Sequence, residues 1–271
     1  MNDPLERIAA ALERLAPPLA DAADWLCAPA YVWQRSARPV AVIEAPELRL
    51  LRGIDAQIAL VAGNVERLAK GFAAHDMLLW GSRGMGKSAL LRSAVKAAQT
   101  QDAARIALVQ VAPEALPDLA ALFAALGKVH RNFLVFLDDL GFADDDSDGP
   151  RALRSWLEGG VEARPGNVRL AVTSNRRAIV PRRLAEQDDP INPRDAVDDK
   201  LALADRFGLS IGFHACSQDD YLAIVAGYCE NYALAFEPAA ALEWSKRRGA
   251  RSGRIAWQFV TDLAGIAGRA L

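Results

Sequence analysis

The chain of 271 residues is long enough for one large domain or two small ones. Apolar residues make up 52% and charged residues 24%, a balance that excludes a disordered polymer. Lys plus Arg number 32 and Asp plus Glu 34, and the resulting formal charge of −2 argues against coating nucleic acid by bulk charge, though not against a local basic patch.

Cys27, Cys216 and Cys229 are odd in number and widely spaced, so neither a disulfide framework nor a zinc pattern can be read from them. No stretch approaches the roughly 18 uninterrupted apolar residues that span a bilayer. The opening MNDPLERIAAALERL is interrupted early by acids and has no basic leader, unlike a secretory signal. These features make the cytoplasm the expected compartment and no membrane partner is expected.

In chain order, Leu5, Ile8, Leu12 and Leu15 recur at helical spacing, and Pro17-Pro18 ends that helix. A second apolar segment runs from Ala22 to Trp33, before a basic link from Arg35 to Pro39. Residues 1–45 are therefore expected to form a helical extension that packs on the main domain. From about residue 46 helices and short apolar strands alternate. Helices are expected over Asp55–Lys70, Ala89–Gln99, Leu116–Val129 and Arg151–Val161. Strands are expected at Met77–Trp80, Ile106–Val111, Phe133–Leu137, Val168–Thr173 and Leu209–Phe213. Such alternation predicts βαβ units and a parallel, five-stranded sheet covered by helices on both faces. After His214 three helices, Gln218–Tyr232, Pro238–Arg247 and Gly253–Ala267, predict a helical lid. The expected division is thus 1–45, 46–214 and 215–271. Asp144 to Asp148 is an acid-rich segment that reads as a solvated loop, with a metal site as the lesser alternative.

The segment Gly81-Ser82-Arg83-Gly84-Met85-Gly86-Lys87-Ser88 fits G-x-x-x-x-G-K-[ST], the Walker A or P-loop pattern. Its glycines let backbone N–H groups converge on phosphate oxygens, and the helix that follows adds partial positive charge. Lys87 is placed to reach the β- and γ-phosphates of ATP, and the Ser88 hydroxyl to ligate Mg²⁺. The context the pattern requires is present, with an apolar strand before it and a helix after it. Asp138 follows Lys87 by 51 positions, at the end of the apolar run Phe133 to Leu137. This Walker B-like strand delivers two carboxylates where ligands bind in open α/β sheets. Asp138 suits the Mg²⁺, and Asp139 the orientation or activation of attacking water. A third strand ends in Thr173-Ser174-Asn175. Asn175 there is a candidate for bonding the γ-phosphate or the water, against the plainer reading of a turn cap.

Together these motifs resemble an AAA+ ATPase. Leu79 to Gly81, Leu157 to Gly160, Glu162 to Pro165, Thr173 to Arg177, Asp205 to Leu209 and Arg251 to Arg254 resemble, more narrowly, one bacterial AAA+ family described only as an ATP-binding domain of unknown function. The likeness covers about residues 50–265. It implies that Asn175 is the sensor-1 residue and that Arg254 is the sensor-2 residue on the lid. It also implies that Arg206, ahead of Phe207-Gly208, is an arginine finger reaching the γ-phosphate of a neighbouring copy, and hence a homo-oligomer. A surface salt bridge is the alternative for Arg206, and Arg182, Arg183 and Arg194 are rival fingers.

Two departures stand out. Most active AAA+ enzymes end the acidic strand in Asp-Glu, whereas this chain has Asp138-Asp139. The shorter side chain sets its carboxylate back by about 1.5 Å, and misplacement on that scale costs about 100-fold in rate. Glu158 and Glu162 are possible substitutes. Met85 replaces a small residue at a place where the loop binds through its backbone.

The expected function is ATP binding with slow Mg²⁺-dependent hydrolysis, coupled to conformational change or subunit assembly on an unknown protein client. The alternatives are an ATP-loaded switch with little turnover, or a helicase-loader-like, DNA-associated factor. For DNA, no helix-turn-helix or zinc module lends support. A guanine-reading Asn-Lys-x-Asp is missing after the acidic strand, and no acceptor pocket for a phosphotransferase is evident.

Overall fold

The computed structural model describes residues 23–141, 153, 156–157, 164–175 and 204–271. Their strands form one sheet: β1 (Ala30–Trp33), β2 (Ala37–Val40), β3 (Met77–Gly81), β4 (Ile106–Val111), β5 (Asn132–Leu137), β6 (Val168–Ser174) and β7 (Leu209–Phe213). The order is β2-β1-β4-β5-β6-β3-β7. All neighbours are parallel except the β1–β2 hairpin at one edge.

The five expected strands are β3 to β7, and all are present. The sheet nevertheless has seven strands rather than five. The other two come from residues 30–40, which were expected to lie in a helical extension. Tyr31, Val32 and Trp33 are β-branched or aromatic residues that fit a pleated, half-buried surface better than a helix. Pro39 is tolerated because β2 is an edge strand, where a missing N–H breaks no ladder. The helix expected around Leu5 to Leu15 lies outside the described residues.

Strand alternation divides the core. Met77 and Leu79 join Leu108, Leu134 and Phe136 on one face. There they meet helix α1 (Asp55–Ala69), through Val61, Val65 and Leu68, and α2 (Lys87–Gln101), through Leu90, Leu91 and Val95. Leu78, Val109, Phe133, Val135 and Val172 point the other way, against α3 (Leu119–Leu126). Each fully buried aliphatic side chain contributes about 1.5–3 kcal/mol. Trp25 closes this second core, its ring 4.8 Å from Tyr31 and 5.8 Å from Phe133. The buried Arg131 fastens that segment, donating to Trp25 O at 2.9 Å and Ala28 O at 2.8 Å.

The chain ends in α4 (Gln218–Asn231), α5 (Pro238–Arg247) and α6 (Gly253–Ile266). Ser217 and Asp220 form a capping box that starts α4, and Ser252 caps α6. Tyr221, Val225, Phe259 and Val260 belong to the same apolar cluster as α1 and α2, so these helices share a core with the sheet. Among the described residues, no helix is long and apolar enough to cross a membrane.

Candidate functional site

A cleft of about 930 Å³ opens at the C-terminal ends of β3, β5 and β6. Residues 83–88 form its inner wall, and Gly81 and Ser82 lead into it. Gly81 ends β3 with φ 122°, and a Cβ there would stand 2.1 Å from Phe213 O, so no larger residue fits. Gly84 has φ 74° and lies against Ser252. Gly86, at φ 88°, caps α2 without a side-chain acceptor. The first-turn N–H groups of α2, beginning at Lys87 and Ser88, thus border the cleft with their partial positive charge.

Lys87 is 8% exposed. Its Nζ donates to Gly81 O at 2.8 Å, Ser82 O at 2.9 Å and Asn175 Oδ1 at 3.4 Å. Burial pushes its pKa down; Asp139 and Asp138 oppose that shift, and Arg254 and Arg83 add to it. Ser88 Oγ donates to Asp138 Oδ1 at 2.5 Å, joining the glycine-rich loop to the acidic strand. The Asn175 amide donates to Asp139 Oδ1. Asn175 therefore stands between the lysine and the second carboxylate. Asp139 itself has φ 51°, in the left-handed region.

The remaining wall comes from elsewhere in the chain. Arg92 and Arg254 border the cleft, and the Arg254 backbone N–H donates to Gly84 O at 3.2 Å. The C-terminal helices are thus seated on the apex of the glycine loop. Leu51, Ile54, Ile224, Tyr228 and Trp257 add apolar lining, beside Glu44 and Arg52. Tyr228 and Trp257 meet edge to face at 5.1 Å.

The structure brings together Gly81 to Ser88, Asp138, Asp139, Asn175 and Arg254. It does not bring Arg206 to this cleft. Leu209, three residues on, pairs with Met77 at the start of β3, while the loop begins at Gly81. At about 3.3 Å per residue, those four steps put Arg206 at the opposite, N-terminal end of the strands, about 13 Å or more away. Glu158, Glu162, Arg182, Arg183, Arg194 and Asp144 to Asp148 lie outside the described residues. Sequence reasoning missed the apolar wall and the Thr173 hydroxyl. Only the helical periodicity carrying Tyr228 and Trp257 hinted at the former, and it reads equally well as core.

Ser88 and Asp138 offer hard oxygen donors, which suits Mg²⁺. Among the described residues, no group of three or more His, Cys, Asp or Glu side chains forms a self-sufficient metal cage.

A strand ending in a glycine loop, an acid-tipped strand two places away and C-terminal helices over the loop define the P-loop AAA+ fold. Solved structures agree. A point variant of Thermotoga maritima RuvB matches at TM-score 0.55 and 18% identity, covering 84% of this chain and 68% of that one. Aeropyrum pernix ORC2, in ADPNP and ADP complexes, matches at 0.55 and 18%, covering 83% and 65%. Aeropyrum pernix ORC1 in complex with DNA matches at 0.51 and 16%, covering 78% and 58%. No curated protein sequence matches the chain. The chain belongs to the family described as protein of unknown function (DUF815), whose model matches residues 27–267.

Proposed function

We propose that the chain binds ATP with Mg²⁺ and hydrolyses it slowly. The observation that carries this reading is the Ser88–Asp138 bond at 2.5 Å beside Lys87 and Asn175, on the floor of the cleft. Lys87 would exchange its contacts to Gly81 O and Ser82 O for β- and γ-phosphate oxygens. Ser88 and Asp138 would hold Mg²⁺, which when bound neutralises charge on those phosphates. Asp139 orients the attacking water and Asn175 fixes Asp139. The base lies between Ile54 and Trp257. Arg254 contacts the phosphates from residues 215–271, acting as a lid on the 46–214 domain, so nucleotide state sets the lid position. Arg206 acts on the site of a neighbouring copy in a cytoplasmic homo-oligomer. The coupled step is a conformational change or assembly on a protein client.

Lys87→Ala tests the site assignment. It should remain folded and lose at least about 100-fold in ATP·Mg²⁺ affinity by calorimetry, through removal of a buried charge-assisted contact. Unchanged affinity in a folded variant would falsify the nucleotide site.

A second reading, a switch with little turnover, is favoured by one observation. The short Asp139 carboxylate is engaged by the Asn175 amide. Asp139→Asn should spare binding and stop turnover. Asp139→Glu restores reach and should raise the rate on the hydrolase reading. A rate that falls in Asp139→Glu supports the switch.

A further inference from the structure

Thr173 borders the floor of the cleft and is only 1% exposed. Its hydroxyl contacts both acidic positions. Thr173 Oγ1 donates to Asp138 Oδ1 at 2.7 Å and accepts the Asp139 backbone N–H at 2.8 Å. Its own C=O accepts the Leu140 N–H at 2.8 Å. One residue of β6 thereby holds three consecutive residues of the turn after β5.

The direction of these bonds is fixed. A backbone N–H can only donate, so the hydroxyl accepts from Asp139 and its single proton goes to Asp138. The middle residue of the turn, Asp139, sits at φ 51°, which a non-glycine residue keeps only where its surroundings hold it. Asp138 Oδ1 also accepts from Ser88, whose hydroxyl is the group assigned to Mg²⁺. With that hydroxyl turned to the metal, the Thr173 donor remains on the carboxylate. The rest of β6 from Leu170 to Val172 is buried and apolar, and valine would match threonine there in shape and strand preference. The hydroxyl is what distinguishes the two.

We infer that Thr173 is a positioning residue that sets the Asp138 carboxylate for the metal and the Asp139 carboxylate for water with one hydroxyl. The inference rests on the ATP·Mg²⁺ reading above. The hydrogen bonds of the Thr173 hydroxyl go to the two acidic residues. Thr173 acts through the two carboxylates, as hydrogen-bond partners of metal ligands do elsewhere.

The test compares the parent chain with Thr173→Val, Thr173→Ser and Val172→Ala. ATP affinity is measured by calorimetry with Mg²⁺ and with EDTA, and turnover is followed against Mg²⁺ concentration. Thr173→Val should bind ATP in EDTA as the parent does. Its Mg²⁺-dependent gain in affinity and its kcat should each fall by about 10–100-fold, the usual loss for such partners. Thr173→Ser should recover most of both. Val172→Ala, a cavity in the same strand, should lower Tm and leave Mg²⁺ half-saturation unmoved. Parental Mg²⁺ half-saturation and kcat in Thr173→Val overturn the inference, as does the same loss in Val172→Ala. If Thr173→Val does not fold, Thr173→Cys takes its place with a weaker donor. An intermediate Mg²⁺ half-saturation supports the inference, and one equal to Thr173→Ser overturns it. A parent chain with no Mg²⁺-dependent ATP binding overturns the nucleotide reading itself, a result distinct from an unmoved Thr173→Val.

Discussion

The two ends of the central sheet carry similar side chains and put them to different use. At the N-terminal ends of β3 and β6, Asp76 accepts Arg164 at 2.6 Å and the Leu170 N–H at 2.8 Å. Arg169 donates to Ala74 O at 2.6 Å, and Asn64 clasps the His75 backbone at 2.9 and 3.0 Å. At the C-terminal ends, Lys87, Asp138, Asp139 and Asn175 also contact one another, but they border a cleft of about 930 Å³. Asp76, Arg164 and Arg169 do not line it. Buried charge alone therefore does not mark a site in this molecule. What separates the two ends is space beside the charges, which lets internal contacts be exchanged for a ligand's.

The largest effect expected across this divide concerns Arg206. If it serves a neighbouring copy, the isolated subunit has an incomplete site, and specific activity should rise with protein concentration. Arg206→Ala should bind ATP nearly as the parent does, since the glycine loop holds the ground state, and lose about 10³-fold in turnover. Mixing Arg206→Ala with Lys87→Ala should restore some activity, because an intact Arg206 on one subunit then faces an intact loop on the other. Activity that ignores concentration, with no rescue on mixing, would sink the trans assignment and leave Arg206 a structural residue.

The C-terminal end was legible in the sequence because its chemistry is local. Gly81 to Ser88 is one continuous motif, and Asp138 and Asn175 each end an apolar strand. The β1–β2 hairpin was not legible. Its strands span only four residues each, and their stability comes from the pairing of β1 with β4, as at Ala30 and Leu108, and from Arg131 fastening the segment before β1, 103 and 106 positions away. The Thr173 role was hidden for a similar reason. A hydroxyl on a strand end has no periodic signature, and its partners lie 34 and 35 positions away. The Asp76–Arg164 pair, 88 positions apart, was equally out of reach.

A smaller effect, confined to the N-terminal end, sharpens the contrast. Asp76→Ala removes the acceptor of both Arg164 and the Leu170 N–H and leaves a mostly buried guanidinium uncompensated. Loss of one partner of a buried pair costs about 3 kcal/mol, visible as a lower Tm or denaturation midpoint. ATP affinity of the folded protein should stay within about twofold of the parent, since distant sites act independently. Lost ATP affinity at unchanged stability would contradict the division between the two ends.

The smallest effect is the pH dependence of Lys87. Burial disfavours its ammonium, so its folded pKa lies below the ordinary 10.5. A folded pKa below the unfolded one means that the charged lysine opposes folding. That penalty is fully present below the folded pKa and fades as pH rises through it towards 10.5. Bound triphosphate reverses the preference and favours the charged form. ATP binding should therefore take up a proton once the pH exceeds the free-protein pKa, and affinity should fall above that point by at most about tenfold per pH unit. Lys87→Arg removes the dependence, because a guanidinium stays charged throughout the range. Calorimetry as pH rises towards 10.5, in buffers of different ionisation enthalpy, reads the proton uptake directly. Equal and flat affinity profiles for the parent and Lys87→Arg would show that no lysine titrates against the phosphates.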